Sequence, residues 1–458
     1  MDTSHLREQL APHIAGEVYA GTDPAAAAET AGFNTSVSHQ PALVVAATSA
    51  ADVAAAVRCA RDAGLGVTVQ ATGHGAAAAE GTVFVSTRRL QGLHVDPVRR
   101  VARAEAGVRW RQVIDAAVPH GLAPMCGSSS SVGVVGYTLG GGMGHLARRH
   151  GFAADRVRAI ELVTATGECR TVTALSDPEL FWALRGGQGS FGIVTAMELE
   201  LVSVPQFFGG SVFYTGAAVE PVLRAFAAWA PTLPEAVTSS VALLRLPSAD
   251  DVPPPLRGTV SLALRFGFTG SPAEGEALLA PMRRVAEPVL GGFGPMSFTE
   301  VDRIHMDPRE PLPAFTRGTL LRGLPDGAVE ALLAVAGPGV EIPLAVVELR
   351  LMGGALGRQA AVPNAVAGRD GAFALTVVAP APPPLAAVAP VVSAHVVEAV
   401  RPWSTGSSLV NFLARGEHES PWSPDVLERL CAVKAQIDPH DVFGGAVRAA
   451  ALAEAGAR

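Results

Sequence analysis

Lysine is almost absent from this chain of 458 residues, since Lys434 is the only one. A phosphate-binding P-loop needs a Gly-Lys-Ser or Gly-Lys-Thr sequence, so a nucleotide site of that type is excluded. Aromatic residues make up only 5% of the chain, and its formal net charge is -7. Both properties argue against a nucleic-acid partner, and the charge also argues against binding to an anionic membrane surface.

Cysteine is scarce as well. The chain has four cysteines, which lie far apart and lack the spacing of metal ligands: Cys59, Cys126, Cys169 and Cys431. We therefore expect no metal centre and a reduced, cytoplasmic setting. Residues 1–10 carry charged side chains and no apolar core, so they do not predict a signal peptide. No uninterrupted apolar run reaches membrane-spanning length, and 49% hydrophobic with 17% charged residues is typical of a folded protein with a buried core.

Two glycine-rich stretches stand out against these absences. They are residues 70–75, QATGHG, and residues 131–144, SVGVVGYTLGGGMG. Backbone without side chains lets main-chain N–H groups close around a flat, anionic ligand. The second stretch lacks the G-x-G-x-x-G fingerprint and its acidic residue, which disfavours a nicotinamide site of the strand-turn-helix type. The two stretches together predict a dinucleotide held by a different fold.

His74 lies between two glycines in the first stretch, where a strand would become a loop. A neutral imidazole nitrogen is a good nucleophile near physiological pH, so it can bond to an electrophilic cofactor carbon. A lone histidine is more often structural, but the flanking glycines and the second glycine-rich stretch favour the functional interpretation.

The predicted secondary structure divides the chain into two regions with different patterns. Residues 30–205 mix short strands (42–48, 67–69, 82–86, 101–106, 159–164, 170–172 and 192–201) with helices (49–64, 110–120 and 177–182). Beyond residue 209, longer strands (210–214, 239–246, 259–268, 345–352 and 372–379) are separated by helices (219–229 and 272–289). This second pattern predicts an antiparallel sheet with helices on one face. A proline cluster at 380–384 reads as a stiff connector, and a last helix covers residues 423–437.

Three long motifs resemble those of FAD-linked oxidases of the vanillyl-alcohol-oxidase fold, in the berberine-bridge-enzyme-like branch with its bacterial members. They are residues 70–75, residues 128–151 and residues 181–194, FWALRGGQGSFGIV, and the resemblance runs from about residue 32 to 443. It implies an α+β fold: a two-part FAD-binding domain of the PCMH type in residues 1–206 and an antiparallel-sheet substrate domain in residues 207–400. Residues 401–458 are then a C-terminal segment that returns to the FAD-binding domain.

The resemblance implies FAD bonded covalently through His74. Many relatives add a cysteine bond at the position occupied here by Ser129, which implies one link; Cys126, three residues upstream, reads as a small buried thiol, with a bond to the flavin ring as the alternative. Val132 matches the position that governs access of dioxygen to the flavin. The expected FAD-binding residues are Ala71, Thr72, Gly73, His74, Gly75, Ser128, Ser129, Val132, Gly133, Gly136, Tyr137, Gly140, Gly141, Gly142, Gly144, Gly189, Gly192, Ile193, Val194 and Asn411.

The implied activity is hydride transfer from a small organic substrate, of the kind found in secondary metabolism, to flavin N5. Dioxygen would then reoxidise the flavin and yield hydrogen peroxide. Two alternatives stay open at this point: a dehydrogenase with another electron acceptor, and a flavoprotein that catalyses a non-redox cyclisation or binds a metabolite. The sequence does not specify the oligomeric state.

The residue that deprotonates the substrate is not obvious. The family often has a tyrosine as general base two residues before the asparagine matched by Asn411, and here that position is Leu409. Alternation along the strand places Glu348 and Arg350 on one face, where Glu348 could act as base and Arg350 could orient an anionic substrate. The alternatives are an ion pair on a solvated sheet face, His145 as base, or a group of the substrate itself. The segment with His305 and Asp307 reads as a loop of the substrate domain.

Overall fold

The computed structural model describes residues 3–76, 78–413 and 420–456. In chain order its strands are β1 (Glu17–Ala20), β2 (Leu43–Ala46), β3 (Val67–Gln70), β4 (Val83–Ser86), β5 (Leu93–Asp96), β6 (Val101–Glu105), β7 (Leu122–Ala123), β8 (Val157–Val163), β9 (Cys169–Val172), β10 (Ile193–Glu200), β11 (Val202–Ser203), β12 (Phe208–Thr215), β13 (Val237–Arg245), β14 (Val260–Phe268), β15 (Leu290–Pro295), β16 (Ala314–Leu321), β17 (Val346–Leu351) and β18 (Phe373–Pro380). Its α-helices are α1 (Thr3–Leu10), α2 (Ala27–Thr30), α3 (Ala50–Asp62), α4 (Trp110–Ala117), α5 (Val134–Leu139), α6 (Ala147–His150), α7 (Pro178–Leu184), α8 (Val219–Trp229), α9 (Pro272–Arg283), α10 (Asp326–Ala336), α11 (Ala389–Ala399), α12 (Pro424–Ile437) and α13 (Ala446–Gly456).

The N-terminal part builds two sheets. The first has the strand order β1-β2-β4-β3, in which β4 runs parallel to both β2 and β3. The second has the order β5-β6-β10-β8-β9 and is antiparallel throughout. Helix α3 begins after Ser49, whose side chain caps it by accepting a hydrogen bond from the backbone N–H of Asp52.

A seven-stranded antiparallel sheet dominates the second part, in the order β15-β12-β14-β13-β17-β18-β16. Successive side chains of each strand point to opposite faces of the sheet. Val347, Leu349 and Leu351 of β17 lie in the apolar core under helices α8, α10 and α11. Glu348 and Arg350 therefore point to the opposite face. This sheet and its helices confirm the predicted α+β class.

Some of the secondary-structure predictions differ from the structure. The predicted helix over residues 272–289 is wrong beyond Arg283, because residues 290–295 form the edge strand β15 against β12. Strand β15 contains three glycines, which have low strand propensity, so its pairing comes from tertiary contacts rather than local preference. Strand β16 and helices α10 and α11 are also absent from the expectations.

Two large apolar clusters organise the chain. One joins residues of the N-terminal part with Trp422, Leu430 and Val433 near the C-terminus, and the other lies between the seven-stranded sheet and its helices. The C-terminal segment thus packs on the N-terminal part. The division at residues 206 and 400 stays a prediction. Within the described ranges, no helix has the length and apolar character needed to cross a bilayer.

Candidate functional site

The His74 loop follows strand β3 and is fixed by its neighbours. Gly73 adopts φ +72 and packs on Gly32 so closely that a Cβ there would lie 2.4 Å from its Cα. The His74 ring stacks on Phe33 with ring centroids 4.0 Å apart, and its Nδ1 lies 3.0 Å from Oγ1 of Thr72. Burial, and then the charge of Arg109, lowers the pKa of His74 to about 4. The imidazole is therefore neutral at physiological pH, and its buried Nε2 has no partner among the described residues.

The serine-rich turn before helix α5 is anchored by the segment between β15 and β16. The hydroxyl of Ser128 donates to Asp307 over 2.5 Å, and both the backbone N–H and the hydroxyl of Ser130 donate to Asp302. The hydroxyl oxygens of Ser129 and Ser131 lie 2.8 Å apart. These contacts bring the substrate-side segment against the second glycine-rich stretch.

The glycines predicted to bind FAD differ in the space around them. A Cβ would meet no atom within 4 Å at Gly75, Gly136 or Gly189, so backbone there borders open space. At other predicted positions a Cβ would collide with the protein: Gly140 with Asn411, Gly142 with Tyr137, Gly144 with the carbonyl of Cys126, and Gly192 with Val163. Gly133 and Gly141 lie between these extremes, in contact with Thr72 and Val366.

These surroundings fit a flat cofactor such as FAD. A Cβ would meet no atom at three of the glycines, and the buried Nε2 of His74 and hydroxyl of Tyr137 lack partners among the described residues. Unpartnered buried polar atoms are costly and are rare without a ligand or water. Ala71 lies on the His74 loop, and Val132 is half-buried ahead of α5.

Two predicted FAD contacts lie in the core. The side chains of Ile193 and Val194 are 1% and 4% exposed in strand β10, where they pair with β8. Any contact of these residues with a cofactor would therefore come from their backbone. Cys126 is also buried, and burial raises the pKa of its thiol to about 12. A neutral thiol is a weak nucleophile, which agrees with the interpretation of Cys126 as a small buried side chain.

Asn411 ties the C-terminal segment to helix α5. Its Nδ2 donates to the carbonyl of Tyr137 over 2.9 Å, and its Oδ1 lies against Gly140. Leu409, at the position of the family's tyrosine, is 5% exposed in an apolar cluster with Met143 and Met352. No hydroxyl replaces the tyrosine at that position.

A cavity lies between the second glycine-rich stretch and the polar face of the seven-stranded sheet. Neighbouring strands β14, β13 and β17 place Arg265, Ser240 and Arg350 directly opposite one another. Ser128, Gly144 and His145 contribute the facing wall. The cavity thus borders residues expected to bind FAD.

Glu348 is the centre of this polar face. Its Oε1 accepts hydrogen bonds from Arg265 (2.6 Å) and Ser240 (2.8 Å), and its Oε2 accepts one from Nε of Arg350 (2.7 Å). Burial alone would raise the pKa of Glu348, but the guanidinium groups of Arg350 and Arg265 hold that pKa well below its ordinary value. The residue is 3% exposed, so the alternative of an ion pair on a solvated face is wrong.

Two histidines complete the cavity. His145 and His305 are 4% and 8% exposed, and their ring centroids lie 5.0 Å apart in an edge-to-face arrangement. Nε2 of His305 lies 3.2 Å from Oε1 of Glu348. Both ring nitrogens of His305, and Nε2 of His145, nevertheless have no partner in hydrogen-bond geometry in the described part of the chain. Burial lowers the pKa of both rings, assisted by Arg265 at His305 and by His305 at His145. Both imidazoles are therefore neutral at pH 7.

Sequence reasoning identified Glu348, Arg350 and His145 but missed Arg265 and His305 as members of one cavity. A signal for Arg265 exists, since it is the one charged residue of the strand VSLALRFGF. No local pattern marks His305, which follows a short 3₁₀ helix, Phe298–Arg303.

Comparisons with known proteins agree with this geometry. Residues 41–173 match the family model of the FAD binding domain. Among curated relatives, the chain is 35% identical over 199 residues to (R)-6-hydroxynicotine oxidase of Paenarthrobacter nicotinovorans. That alignment covers 43% of this chain and 40% of the relative's length, so the chain matches less than half of the relative.

Solved structures extend the likeness to nearly the whole fold. BBE-like 1 of Physcomitrella patens superposes with a TM-score of 0.83 at 20% identity, over 96% of this chain and 97% of that one. Glucooligosaccharide oxidase from Acremonium strictum, described with a 6-S-cysteinyl, 8α-N1-histidyl FAD, gives a TM-score of 0.83 at 21% identity over 96% and 98%. The chain therefore has the α+β fold of berberine-bridge-enzyme-like, FAD-linked proteins.

Proposed function

We propose that this protein is an FAD-dependent oxidase that oxidises a small organic substrate in the cavity between the second glycine-rich stretch and the seven-stranded sheet. The observation that carries the proposal is the His74 loop: a neutral imidazole with a buried, unpartnered Nε2, next to open glycine backbone. The FAD-binding match over residues 41–173 covers that same loop. FAD, when bound, supplies a two-electron acceptor, and the protein contributes position and proton transfer.

His74 is the attachment residue in this proposal. A ring nitrogen must be unprotonated to act as a nucleophile, and the lowered pKa of His74 meets that condition. The contact between Nδ1 and Thr72 together with the stack on Phe33 fixes the orientation of the ring. Ser129 offers only a hydroxyl at the second linkage position, and the thiol of Cys126 is neutral, which favours a single bond.

Proton transfer falls to the histidines. Glu348 is a poor base, because both of its oxygens already accept hydrogen bonds from guanidinium groups. His145 and His305 are neutral, and each has a ring nitrogen without a partner in the described part of the chain. We assign them as the acceptors of the substrate proton, with the carboxylate of Glu348 3.2 Å from Nε2 of His305.

Dioxygen is the electron acceptor in this proposal, with hydrogen peroxide as its product. Support comes from the resemblance of Val132 to the position that governs oxygen access, and from the oxidases among the relatives. The substrate class is a small molecule that fits the cavity.

The experiment that tests the proposal compares wild type with His74→Ala by intact mass and by absorbance after acid denaturation. Wild type should carry one FAD mass addition and keep its flavin colour after denaturation, and His74→Ala should lose both. The exposed His94, substituted to Ala, is the matched control and should behave as wild type. If His74→Ala kept its flavin after denaturation and Cys126→Ala lost it, the covalent bond would be assigned to the cysteine. Wild-type protein without any flavin would refute the proposed function.

A further inference from the structure

The charged side chains that line the cavity are the guanidinium groups of Arg148, Arg265 and Arg350, and Glu348 is the carboxylate that contacts two of them. Arg148 is occupied by the carbonyls of Leu233, Pro234, Val237 and Met352. A ligand in the cavity would therefore meet Arg265 and Arg350, which share one carboxylate.

Arg265, Ser240 and Arg350 lie directly opposite one another on three adjacent strands, with Ser240 between the two arginines. Glu348, two residues from Arg350 along β17, accepts hydrogen bonds from all three. Two guanidinium groups thus form ion pairs with a single carboxylate. A buried cation needs an anion, hydrogen bonds or solvent around it.

Two further carboxylates lie near the cavity, but neither forms an ion pair with these arginines among the described contacts. Asp307 interacts electrostatically with Arg350 and accepts the hydroxyl of Ser128 over 2.5 Å. Asp302 accepts the backbone N–H and the hydroxyl of Ser130. His145 and His305 are neutral and supply no anion.

Arg350 is the arginine that a ligand can reach. Its side chain is 13% exposed against 6% for Arg265. Its Nε donates a hydrogen bond to Glu348, and its guanidinium carbon lies 5.8 Å from the ring centre of Phe412. A guanidinium fixed at Nε is preorganised to bind a carboxylate through its remaining N–H groups.

We propose that the substrate of this cavity carries a carboxylate, and that Arg350, fixed by Glu348 and supported by Arg265, binds it. The inference rests on the proposed function for the identity of the site, and it narrows the substrate to organic acids. The carboxylate gives Arg350 an ion-pair partner on the cavity side, and the neutral histidines are left to accept a proton. A neutral molecule of the same shape would form no ion pair with Arg350.

The test titrates purified protein with benzoate and with its neutral analogue benzamide by calorimetry. Benzoate should bind at least about tenfold more tightly than benzamide, because a charge-assisted hydrogen bond contributes more than a neutral one. Equal affinities, or tighter binding of benzamide, would overturn the inference. This comparison needs only the wild-type chain, so no folding defect can obscure it.

Variants of Arg350 test whether this residue causes the preference for benzoate. Arg350→Met should weaken benzoate binding about tenfold or more and leave benzamide unchanged, and Arg350→Lys should retain part of the preference because it keeps the charge. Arg358→Met is the matched control, since Arg358 is 58% exposed and pairs with Glu235 outside the cavity lining. Unchanged benzoate affinity in a folded Arg350→Met protein would overturn the assignment to Arg350.

The flavin content of the same sample separates the two proposals. Flavin present with no preference for benzoate refutes the carboxylate inference and leaves the proposed function intact. Flavin absent refutes the proposed function, and the calorimetric comparison still decides whether the cavity selects a carboxylate.

Discussion

Two groups of charges near the interior differ in how completely their charges are matched. In the cavity, Arg265 and Arg350 share Glu348. Near the C-terminus, two cations meet two carboxylates, in the group formed by Lys434, Asp438, Asp441 and Arg448. The second group is balanced, with two cations paired to two carboxylates of the C-terminal segment, whereas in the first group two cations form ion pairs with one carboxylate beside a cavity. The first group can therefore accept a further anionic partner.

The balanced group has a structural explanation for each bond. Nζ of Lys434 donates to the carbonyl of Ser190 and to Asp438, while Asp438 accepts backbone N–H groups of Val442 and Phe443. These bonds fix the end of helix α12 beside the loop that contains Gly189. The group thus supports the expected cofactor region without facing the cavity.

The largest effect is expected for Glu348→Gln. Removing the shared negative charge leaves two buried guanidinium groups without their ion-pair partner, which should cost about 3–5 kcal/mol in the free energy of unfolding. Chemical denaturation of wild type and variant measures the loss. The exposed Glu341, substituted to Gln, is the matched control and should change the value by less than about 0.5 kcal/mol. A stability equal to that of wild type would show that the cavity charges are solvated, and the comparison between the two groups would fail.

An intermediate effect is expected for Lys434→Met. The variant removes one cation, but Asp438 keeps its two backbone donors, so the cost should be about 1–3 kcal/mol. Benzoate affinity should not change, because Lys434 is absent from the cavity lining. Weaker benzoate binding in this variant would mean that the two groups are coupled, which contradicts the distinction drawn between them.

The same contrast shows how far sequence reasoning reaches. Glycines around His74 predicted the loop, and strand alternation placed Glu348 and Arg350 together, because both signals are local. Arg265 and His305 reach Glu348 only through the register of β14 against β13 and through the fold of a distant segment. Local sequence also cannot separate the open Gly136 from glycines that merely allow close packing, since that depends on residues from elsewhere in the chain.

The smallest effect concerns pH and the cavity histidines. Burial lowers the pKa of His305 in the folded protein, so between the unfolded value near 6.5 and the lower folded value the unfolded chain binds more protons. Stability should therefore fall as pH falls from about 6.5, and His305→Gln should make that slope shallower. Glu348 adds its own loss only below its unfolded value of about 4.5, because its folded pKa is depressed.

Thermal unfolding between pH 4.5 and 7.5 measures this effect, with His94→Gln as the control that removes an exposed histidine. A change of about 1 kcal/mol in the free energy of unfolding over this range corresponds to less than one unit of difference between the folded and unfolded pKa of His305. The measurement therefore needs closely spaced pH values. An identical slope for wild type and His305→Gln would mean that His305 titrates as it does in the unfolded chain. In that case it would be partly cationic near pH 6.5, and the cavity would hold still more positive charge than the two arginines supply.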